Sequence, residues 1–237
     1  MKLGCSEKLK EDASGKHKFL FRLFKEFVSR GITIDSKNPD IFLYIPGANQ
    51  SKTARINVMR LDGLIVNEKE DYKSKNDKLL RGIDKSDAII FQNEFCKLAY
   101  ERFLGVSGKK HACILNGASP SDFLPRSSGN FFLANCRWRP HKRLTTIITG
   151  FLLALENGLD ADLLITGEVE SKKKHPRIKY TGWQTPENLK ILLSRAIASF
   201  HLSWVDWCPN AMVEAMVAGC PVVYSDSGGH PYLANRQ

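Results

Sequence analysis

The chain has 237 residues, of which 43% are hydrophobic and 25% charged. This balance is typical of a folded globular protein and excludes an intrinsically disordered chain, and the length allows one large domain or two small ones. No apolar run is long enough to span a membrane, and the first ten residues lack the apolar stretch of a secretory signal. These features predict a cytoplasmic protein.

A formal net charge of +10 indicates an anionic partner, such as a nucleic acid, anionic lipid headgroups or a phosphorylated ligand. Much of the excess lies at residues 137–143 and 172–179, although the lysine run at 172–174 is most simply a solvated loop. No nucleic-acid-binding motif accompanies the charge, so no nucleic-acid partner is predicted. The basic surface is compatible with peripheral contact with an anionic membrane.

The six cysteines lie far apart in the sequence. None is spaced from another cysteine or from a histidine as metal ligands are, so no metal site is predicted. We interpret them as buried thiols, which agrees with a reducing compartment.

Strands and helices alternate along the first half of the chain. An amphipathic helix spans Leu20 to Val28 and ends at Gly31, and a second helix, Phe95–Leu104, ends at Gly105. Strands are predicted at Lys2–Cys5 (the weakest), Ile32–Ile34, Ile41–Ile45, Ile56–Leu61, Ala88–Phe91 and Ala112–Leu115.

The segment Ser119–Asn130, with its serines and prolines, breaks this alternation and predicts a boundary between domains at residues 1–125 and 126–237. Beyond it, one helix begins near Leu144 and another begins after Thr185 as N-cap. Strands are predicted at Phe131–Ala134, Leu163–Thr166, Ile178–Tyr180, Ile197–His201 and Val222–Ser225. The pattern predicts an α/β protein with two Rossmann-like parallel-sheet domains facing across a cleft, and ligands beyond the carboxyl ends of the strands.

The segment from His201 to Pro231 is the most informative for chemistry. A helix is predicted to begin at Pro209 and end at Gly219. The backbone N–H groups at its start lack intrahelical partners and, with the helix dipole, favour a bound diphosphate. These N–H groups belong to Asn210, Ala211 and Met212.

Two carboxylates flank this helix start, Asp206 before it and Glu214 about one turn inside it. Together they suit a nucleotide sugar, because carboxylates accept hydrogen bonds from sugar and ribose hydroxyls. The alternative is that Glu214 is a solvent-facing helix residue and Asp206 a loop charge.

The segment resembles the signature of the family 4 (group 1) retaining glycosyltransferases, which have the GT-B fold. The family pattern is a Glu, seven residues, a second Glu, Ala-Met, a Gly, Pro-Val-Val and a Gly-Gly turn. Asp206 stands where the family has its first Glu. The matching residues are Asp206, Pro209-Asn210, Glu214-Ala215-Met216, Gly219, Pro221-Val222-Val223 and Gly228-Gly229.

The resemblance extends to other positions. Arg137 and Lys142 resemble the family's cations on the donor diphosphate, and Gly167 stands at a strand-end glycine of the donor site. The resemblance implies that Arg137, Lys142 and Asp206 act in catalysis and that Glu214 binds the donor nucleotide. Asn116-Gly117, followed by Phe123 and Pro125, resembles the interdomain connection.

The acceptor side is less marked. Gly47 and Asn49 follow one predicted strand and would let an acceptor approach, and Asp62 follows the next and would orient its hydroxyl. A structural turn aspartate is an equally good interpretation of Asp62. His230 is an outside candidate for contact with the donor.

The resemblance implies an enzyme of polysaccharide biosynthesis that moves a hexose from a UDP- or GDP-sugar to a glycan or lipid-linked glycan. Transfer is expected with retention, without a metal and without a cofactor. A homologue that binds nucleotide sugar or glycan without transfer is the alternative. Because the chain ends at Gln237, soon after the Gly-Gly turn, we expect a compact or C-terminally truncated version of the fold.

Overall fold

A computed structural model of the chain describes residues 1–7, 15–46, 54–67 and 69–234. The chain divides into two units, Met1–Asn116 and Gly117–Gln237, called unit 1 and unit 2 below. The division falls at the Asn116-Gly117 pair, earlier in the chain than the predicted boundary after residue 125.

Unit 1 contains one parallel sheet of six strands in the order β2-β1-β3-β4-β5-β6. The strands are β1 (Lys2–Cys5), β2 (Thr33–Ile34), β3 (Ile41–Tyr44), β4 (Ile56–Leu61), β5 (Ala88–Phe91) and β6 (Lys110–Cys113). The helices are α1 (Gly15–Ser29), α2 (Tyr72–Lys85) and α3 (Glu94–Leu104). Each predicted strand of this half has a counterpart, including the weak first one.

The helices of unit 1 follow their local sequence signals. The Asn93 side chain accepts a hydrogen bond from the Cys96 N–H at 2.8 Å, which caps α3, and Gly105 ends the helix in the left-handed region at φ 66°. Helix α2, which was not predicted, is capped by the Asp71 side chain through the Ser74 N–H at 3.2 Å.

Unit 2 contains a parallel sheet of five strands in the order β11-β10-β7-β8-β9. The strands are β7 (Phe131–Asn135), β8 (Asp162–Thr166), β9 (Ile178–Gly182), β10 (Ser199–His201) and β11 (Val222–Tyr224). The helices are α4 (Leu144–Glu156), α5 (Pro186–Arg195), α6 (Asn210–Val217) and α7 (His230–Ala234). Thr185 caps α5 by accepting from the Asn188 N–H at 3.2 Å, as its sequence predicts.

Both faces of the unit 2 sheet are buried. Successive strand residues point to opposite faces, and the neighbours Leu133 and Ala134 of β7 accordingly pack in different clusters. Ala134 packs with Ile147 and Phe151 of α4, whereas Leu133 packs with residues of α5 and α6, such as Leu193. Helices on both faces explain why the central strands β7 and β8 contain the unbroken apolar runs Phe131–Ala134 and Leu163–Ile165.

The strand order of unit 2 reverses between β7 and β10. From β7 the chain proceeds outward through β8 and β9, then returns to place β10 on the other side of β7. In open parallel sheets the loops that leave two such strands diverge, and the space beyond their carboxyl ends receives ligands. The fold therefore singles out the loops after Asn135 and His201.

Gly167, directly after β8, is required by the close approach of two loops. Its φ is 83°, and its N–H donates to the carbonyl of Gly182 at 2.7 Å. A Cβ here would overlap the carbonyl oxygen of Cys136, in the loop that follows β7. Only glycine fits this position without backbone displacement.

Gly167→Ala should therefore destabilise unit 2 by about 3 kcal/mol or more, since it adds steric overlap to a strained φ. Gly158→Ala is the matched control, because Gly158 also has a positive φ (90°) but a Cβ there would contact nothing within 4 Å. The control should lose only about 1–2 kcal/mol. Urea unfolding of the two variants measures the difference, and equal losses would contradict the proposed overlap.

Candidate functional site

A small pocket with a volume of about 30 Å³ lies at the carboxyl ends of β7 and β10, where the strand order reverses. Its wall combines the loop after β7, the loop after β10, the first turn of α6 and the start of α7. Its polar side chains include those of Asn135, Lys142, His201, Asp206 and His230. Lys142 and Asp206 are the two predicted catalytic residues that the fold brings into the pocket.

The loop after β7 is fixed to the neighbouring strand. The Trp138 indole N–H donates to the carbonyl of Thr166 at 2.7 Å, and the Thr166 hydroxyl donates to Asn135 Oδ1 at 3.0 Å. A single 3₁₀ turn, Pro140–Lys142, then presents Lys142, and Arg143 follows it with a φ of 56°. Because the Trp138 contact fixes the loop that leads into this turn, Lys142 projects from a defined position.

Lys142 Nζ forms an ion pair with Asp206 Oδ2. Each of the two side chains is 18% exposed, so the pair lies at the pocket wall and is largely removed from water. An ion pair in such surroundings is less screened than a surface pair, and removing one partner leaves the other charge uncompensated. The cation and the carboxylate thus hold each other in place.

The backbone of Asp206 is held by the Gly-Gly turn. The Gly229 N–H donates to the Asp206 carbonyl at 2.7 Å. A Cβ at Gly228, whose φ is 63°, would lie 2.9 Å from that carbonyl oxygen and 3.0 Å from the Asp206 nitrogen. The Gly-Gly turn of the sequence signature therefore positions the carboxylate that the signature also contains.

The start of α6 differs in one respect from the expectation. The first turn is tight, and the Met212 N–H donates to the Pro209 carbonyl at 3.0 Å, as does the Val213 N–H at 3.1 Å. The Met212 N–H is therefore not available to bind a diphosphate. The Met212 side chain is fully buried. Ala211 lines the pocket, and Asn210 precedes it in the same turn.

Glu214 lies in the second turn of α6 and is only 8% exposed. This burial contradicts the alternative that Glu214 is a solvent-facing helix residue. A buried carboxylate normally has hydrogen-bonding partners, and in this fold such a residue is suited to ribose hydroxyls. Glu214 is not one of the residues that line the pocket, so its role in ribose binding remains a prediction.

Two further predicted donor residues lie outside the pocket wall. Arg137 is exposed, and its guanidinium has no ion-pair partner within the part of the chain that the structure describes. The N–H of Gly167 is already bonded to the Gly182 carbonyl, so Gly167 supports the loop after β7 instead of offering a donor to a ligand.

Of the three predicted acceptor residues, the structure describes Asp62. Gly47 and Asn49 lie outside the described residues. Asp62 forms an ion pair with Arg60, which is 2% exposed, and it also accepts from Gln92 Nε2 at 3.4 Å. These contacts give Asp62 a structural role, because it balances a buried cation; its contact with an acceptor hydroxyl remains a prediction.

Two buried histidines line the pocket, His201 and His230, of which the sequence analysis named only His230 as a candidate for donor contact. His201 shares a hydrogen bond with the Ser199 hydroxyl through Nε2 at 3.0 Å. His230 donates from Nδ1 to the Ser227 carbonyl at 2.9 Å. The contact between His201 and Ser199 could have been found in the sequence, because residues two apart in a strand lie on the same face of the sheet.

Burial sets the protonation of both histidines. Burial, followed by the charges of His230 and Lys142, lowers the pKa of His201 to about 3. Burial is also the main cause that lowers the pKa of His230, with Lys142 in the same direction and the Ser227 carbonyl and Asp206 opposing. Both rings are therefore neutral at neutral pH, and Lys142 and Asp206 carry the charges of the pocket.

Within the described residues, no group of three or more His, Cys, Asp or Glu side chains is arranged to hold a metal ion. None of the helices described is long and apolar enough to cross a membrane.

Residues 120–236 match the model of the family described as Glycosyl transferases group 1. The match covers the pocket-forming residues of unit 2, including the Asp206 to Gly229 segment that carried the resemblance. A sequence search of the curated proteins finds no match.

Three solved structures are similar to nearly the whole chain. Sucrose-phosphate synthase from Thermosynechococcus elongatus has a TM-score of 0.75 at 12% identity, over 98% of this chain and 82% of its own. HepE from Anabaena, solved in complex with UDP-glucose, has a TM-score of 0.68 at 15% identity over the same shares. AviGT4, a glycosyltransferase involved in avilamycin A biosynthesis, has a TM-score of 0.70 at 14% identity, over 99% of this chain and 80% of its own.

At these identities the likeness shows the fold alone. The prediction of two Rossmann-like, parallel-sheet α/β domains is confirmed, and the structural neighbours are GT-B glycosyltransferases.

The low pKa of His201 predicts a pH dependence of stability. Between its ordinary value of 6.5 and about 3, the unfolded chain binds a proton at His201 that the folded protein does not. The free energy of unfolding should therefore fall as the pH is lowered through this window, by up to about 1.4 kcal/mol per pH unit.

In His201→Gln the amide can keep the contact with Ser199 but does not titrate. Urea unfolding from about pH 7 to about pH 4 should give a shallower loss for this variant than for the wild type, and parallel losses would contradict the assignment.

Proposed function

We propose that this protein is a family 4 retaining glycosyltransferase that moves a hexose from a nucleoside-diphosphate sugar to an acceptor hydroxyl. One observation supports the proposal most directly. The residues that match the glycosyltransferase group 1 pattern also form the pocket at the reversal of the unit 2 sheet, with Lys142 and Asp206 in contact at its wall. The UDP-glucose complex of HepE, a protein of the same fold, supports a UDP-sugar as the donor to test first.

The donor diphosphate is placed against Lys142 and the first turn of α6. Breaking the glycosyl–phosphate bond leaves negative charge on the departing diphosphate, and fixed cations and N–H dipoles stabilise that charge. Lys142 supplies the cation inside the pocket, and the start of α6 at Asn210 and Ala211 supplies the positive end of a helix. Arg137, exposed and without an ion-pair partner among the described residues, adds a second cation that can turn toward the phosphates.

Asp206 has a different task. In the absence of donor it is paired with Lys142. When Lys142 moves to a phosphate oxygen, the Asp206 carboxylate becomes available to accept hydrogen bonds from the hydroxyls of the hexose. The ion pair thus keeps two ligand-binding groups oriented until both find partners on one ligand. Glu214, one turn inside α6, completes the donor site by binding the ribose.

The acceptor is proposed to be a glycan or a lipid-linked glycan, received by unit 1 near Asp62, with peripheral membrane contact through the basic surface. Configuration is retained at the transferred carbon, and we assign no enzyme nucleophile. The charge on the leaving diphosphate is balanced by protein cations in this proposal, without a metal. The Asp160-Ala161-Asp162 sequence lies at the amino end of β8, away from the pocket, and its carboxylates are paired with Arg177 and Lys179.

Lys142→Ala should lower kcat for donor turnover at least about 100-fold, since it removes the pocket cation that stabilises the leaving group. Lys179→Ala is the matched control, because it breaks another Lys–Asp ion pair of unit 2 that does not line the pocket. Hydrolysis and transfer are measured with a panel of UDP-, GDP- and ADP-sugars, and the control should retain wild-type turnover.

The panel also decides between transfer and binding alone. Turnover that is lost in Lys142→Ala supports the enzyme. Donor binding without turnover in the wild-type protein supports the homologue that binds nucleotide sugar or glycan without transfer. Failure to bind any nucleotide, nucleotide sugar or glycan would refute both functions.

Metal independence has a separate test. If Lys142 and the helix start supply the charge that a divalent cation supplies elsewhere, EDTA should leave donor turnover unchanged, and added Mg²⁺ or Mn²⁺ should not raise it. A loss of turnover in EDTA that Mn²⁺ restores would contradict this part of the proposal.

A further inference from the structure

His230 has a feature that the reaction described so far does not use. The side chain is 0% exposed and lines the pocket. Its Nε2 atom is buried and has no hydrogen-bond partner within the described part of the chain. Leaving a buried polar atom unpaired costs free energy, so such atoms are few in native proteins and each calls for an explanation.

The other ring nitrogen determines what Nε2 can do. Nδ1 lies 2.9 Å from the Ser227 carbonyl, which can only accept, so Nδ1 carries the proton. Burial lowers the pKa of His230, so the ring is neutral at neutral pH. In a neutral ring with the proton on Nδ1, Nε2 has a lone pair and no hydrogen. Its missing partner is therefore a hydrogen-bond donor.

The second histidine of the pocket offers a contrast. His201 Nε2 is already paired with the Ser199 hydroxyl at 3.0 Å, so this ring is satisfied inside the protein. His230 is held by only one of its two nitrogens. Asp206, whose carboxylate acts on the protonation of His230, lies in the same wall. The pocket wall therefore contains two acceptors, the Asp206 carboxylate and His230 Nε2.

We propose that His230 is a specificity-determining residue of the donor site, whose Nε2 accepts a hydrogen bond from one hydroxyl of the hexose being transferred. The inference rests on the proposed function and deepens it. A hydroxyl fits because it can donate a proton to Nε2, whereas ionised phosphate oxygens only accept and would meet a lone pair. A site that hydrogen-bonds a substrate hydroxyl discriminates against analogues that lack it, because the protein atom is then left unpaired.

The test compares a ligand that carries the hexose with one that does not. His230→Asn removes Nε2, while its side-chain amide can still donate to the Ser227 carbonyl as Nδ1 does. Calorimetric titration with UDP-glucose should show affinity about three- to tenfold weaker than wild type, whereas the affinity for UDP should be unchanged. His111→Asn is the matched control, because His111 Nδ1 makes the same kind of contact with the Lys109 carbonyl, at 3.1 Å, but is exposed and outside the pocket wall.

A second variant distinguishes the loss of the acceptor atom from a folding defect. In His230→Gln the longer amide can place an oxygen near the position of Nε2, so it should recover UDP-glucose affinity if the acceptor matters. Analogues of UDP-glucose that each lack one hydroxyl identify the contact: one of them should bind wild type and His230→Asn equally well, while the others keep the difference. If the wild-type protein prefers another donor, the same comparison is made with GDP-mannose and GDP, or with ADP-glucose and ADP, in place of UDP-glucose and UDP.

The outcomes separate the two proposals. Equal weakening of UDP and UDP-glucose in His230→Asn, or no weakening of either, overturns the role of His230 and leaves the glycosyltransferase standing. A wild-type protein that binds none of these nucleotides or nucleotide sugars overturns the proposed function, and the role of His230 with it.

Discussion

The adjacency of β7 and β10 is the constraint on which the candidate site depends. The two strands are distant in the chain, yet the strand order of unit 2 makes them neighbours, and the helices that follow them, α4 and α6, pack on opposite faces of the sheet. The Trp204 N–H then donates to the His141 carbonyl at 2.9 Å, which ties the two loops together beyond the sheet. As a result Lys142 and Asp206, 64 positions apart in sequence, meet in one ion pair. The strands hold the loops in place, and the loops carry the charged side chains of the site.

The electrostatics of the pocket follow from this arrangement. One cation and one carboxylate neutralise each other, and burial keeps the two histidines uncharged. A ligand that carries both negative charge and hydroxyl groups can satisfy all of these residues at once, since the phosphates suit Lys142 and the hydroxyls suit the acceptors. A simple anion would satisfy only the lysine. The mixed polarity of the site therefore favours a phosphorylated sugar over an inorganic anion or an apolar ligand.

Much of the fold could be predicted from the sequence because its signals are local. Thr185 before Pro186 predicts the start of α5, Gly105 predicts the end of α3, and short apolar runs predict the strands. Helix α2 was missed because it is rich in charged residues and shows only a narrow apolar face, with Leu79 and Ile83 buried. Its stability depends on packing that a local pattern does not contain.

The site was predictable where a contiguous motif carries it, from Asp206 to Gly229. It was not predictable where it depends on contacts between distant segments. The bond from Trp138 to the Thr166 carbonyl joins residues from different strand ends, and the unpaired nitrogen of His230 appears only when all of its neighbours are in place. The tight first turn that occupies the Met212 N–H is likewise a matter of backbone geometry that residue identity does not reveal.

The grip of Gly228 and Gly229 on the backbone of Asp206 has a consequence for how such a site can diverge. Because the neighbouring turn fixes the main chain, the position of the carboxylate in the pocket depends on the length of the side chain and on its ion pair with Lys142. The aspartate that stands here in place of the glutamate of the family pattern is shorter by one methylene, and this change does not require the backbone to move. If the proposed function holds, a single change of side-chain length would in this way adapt the site to a bulkier or differently branched sugar, while the fold stays as it is.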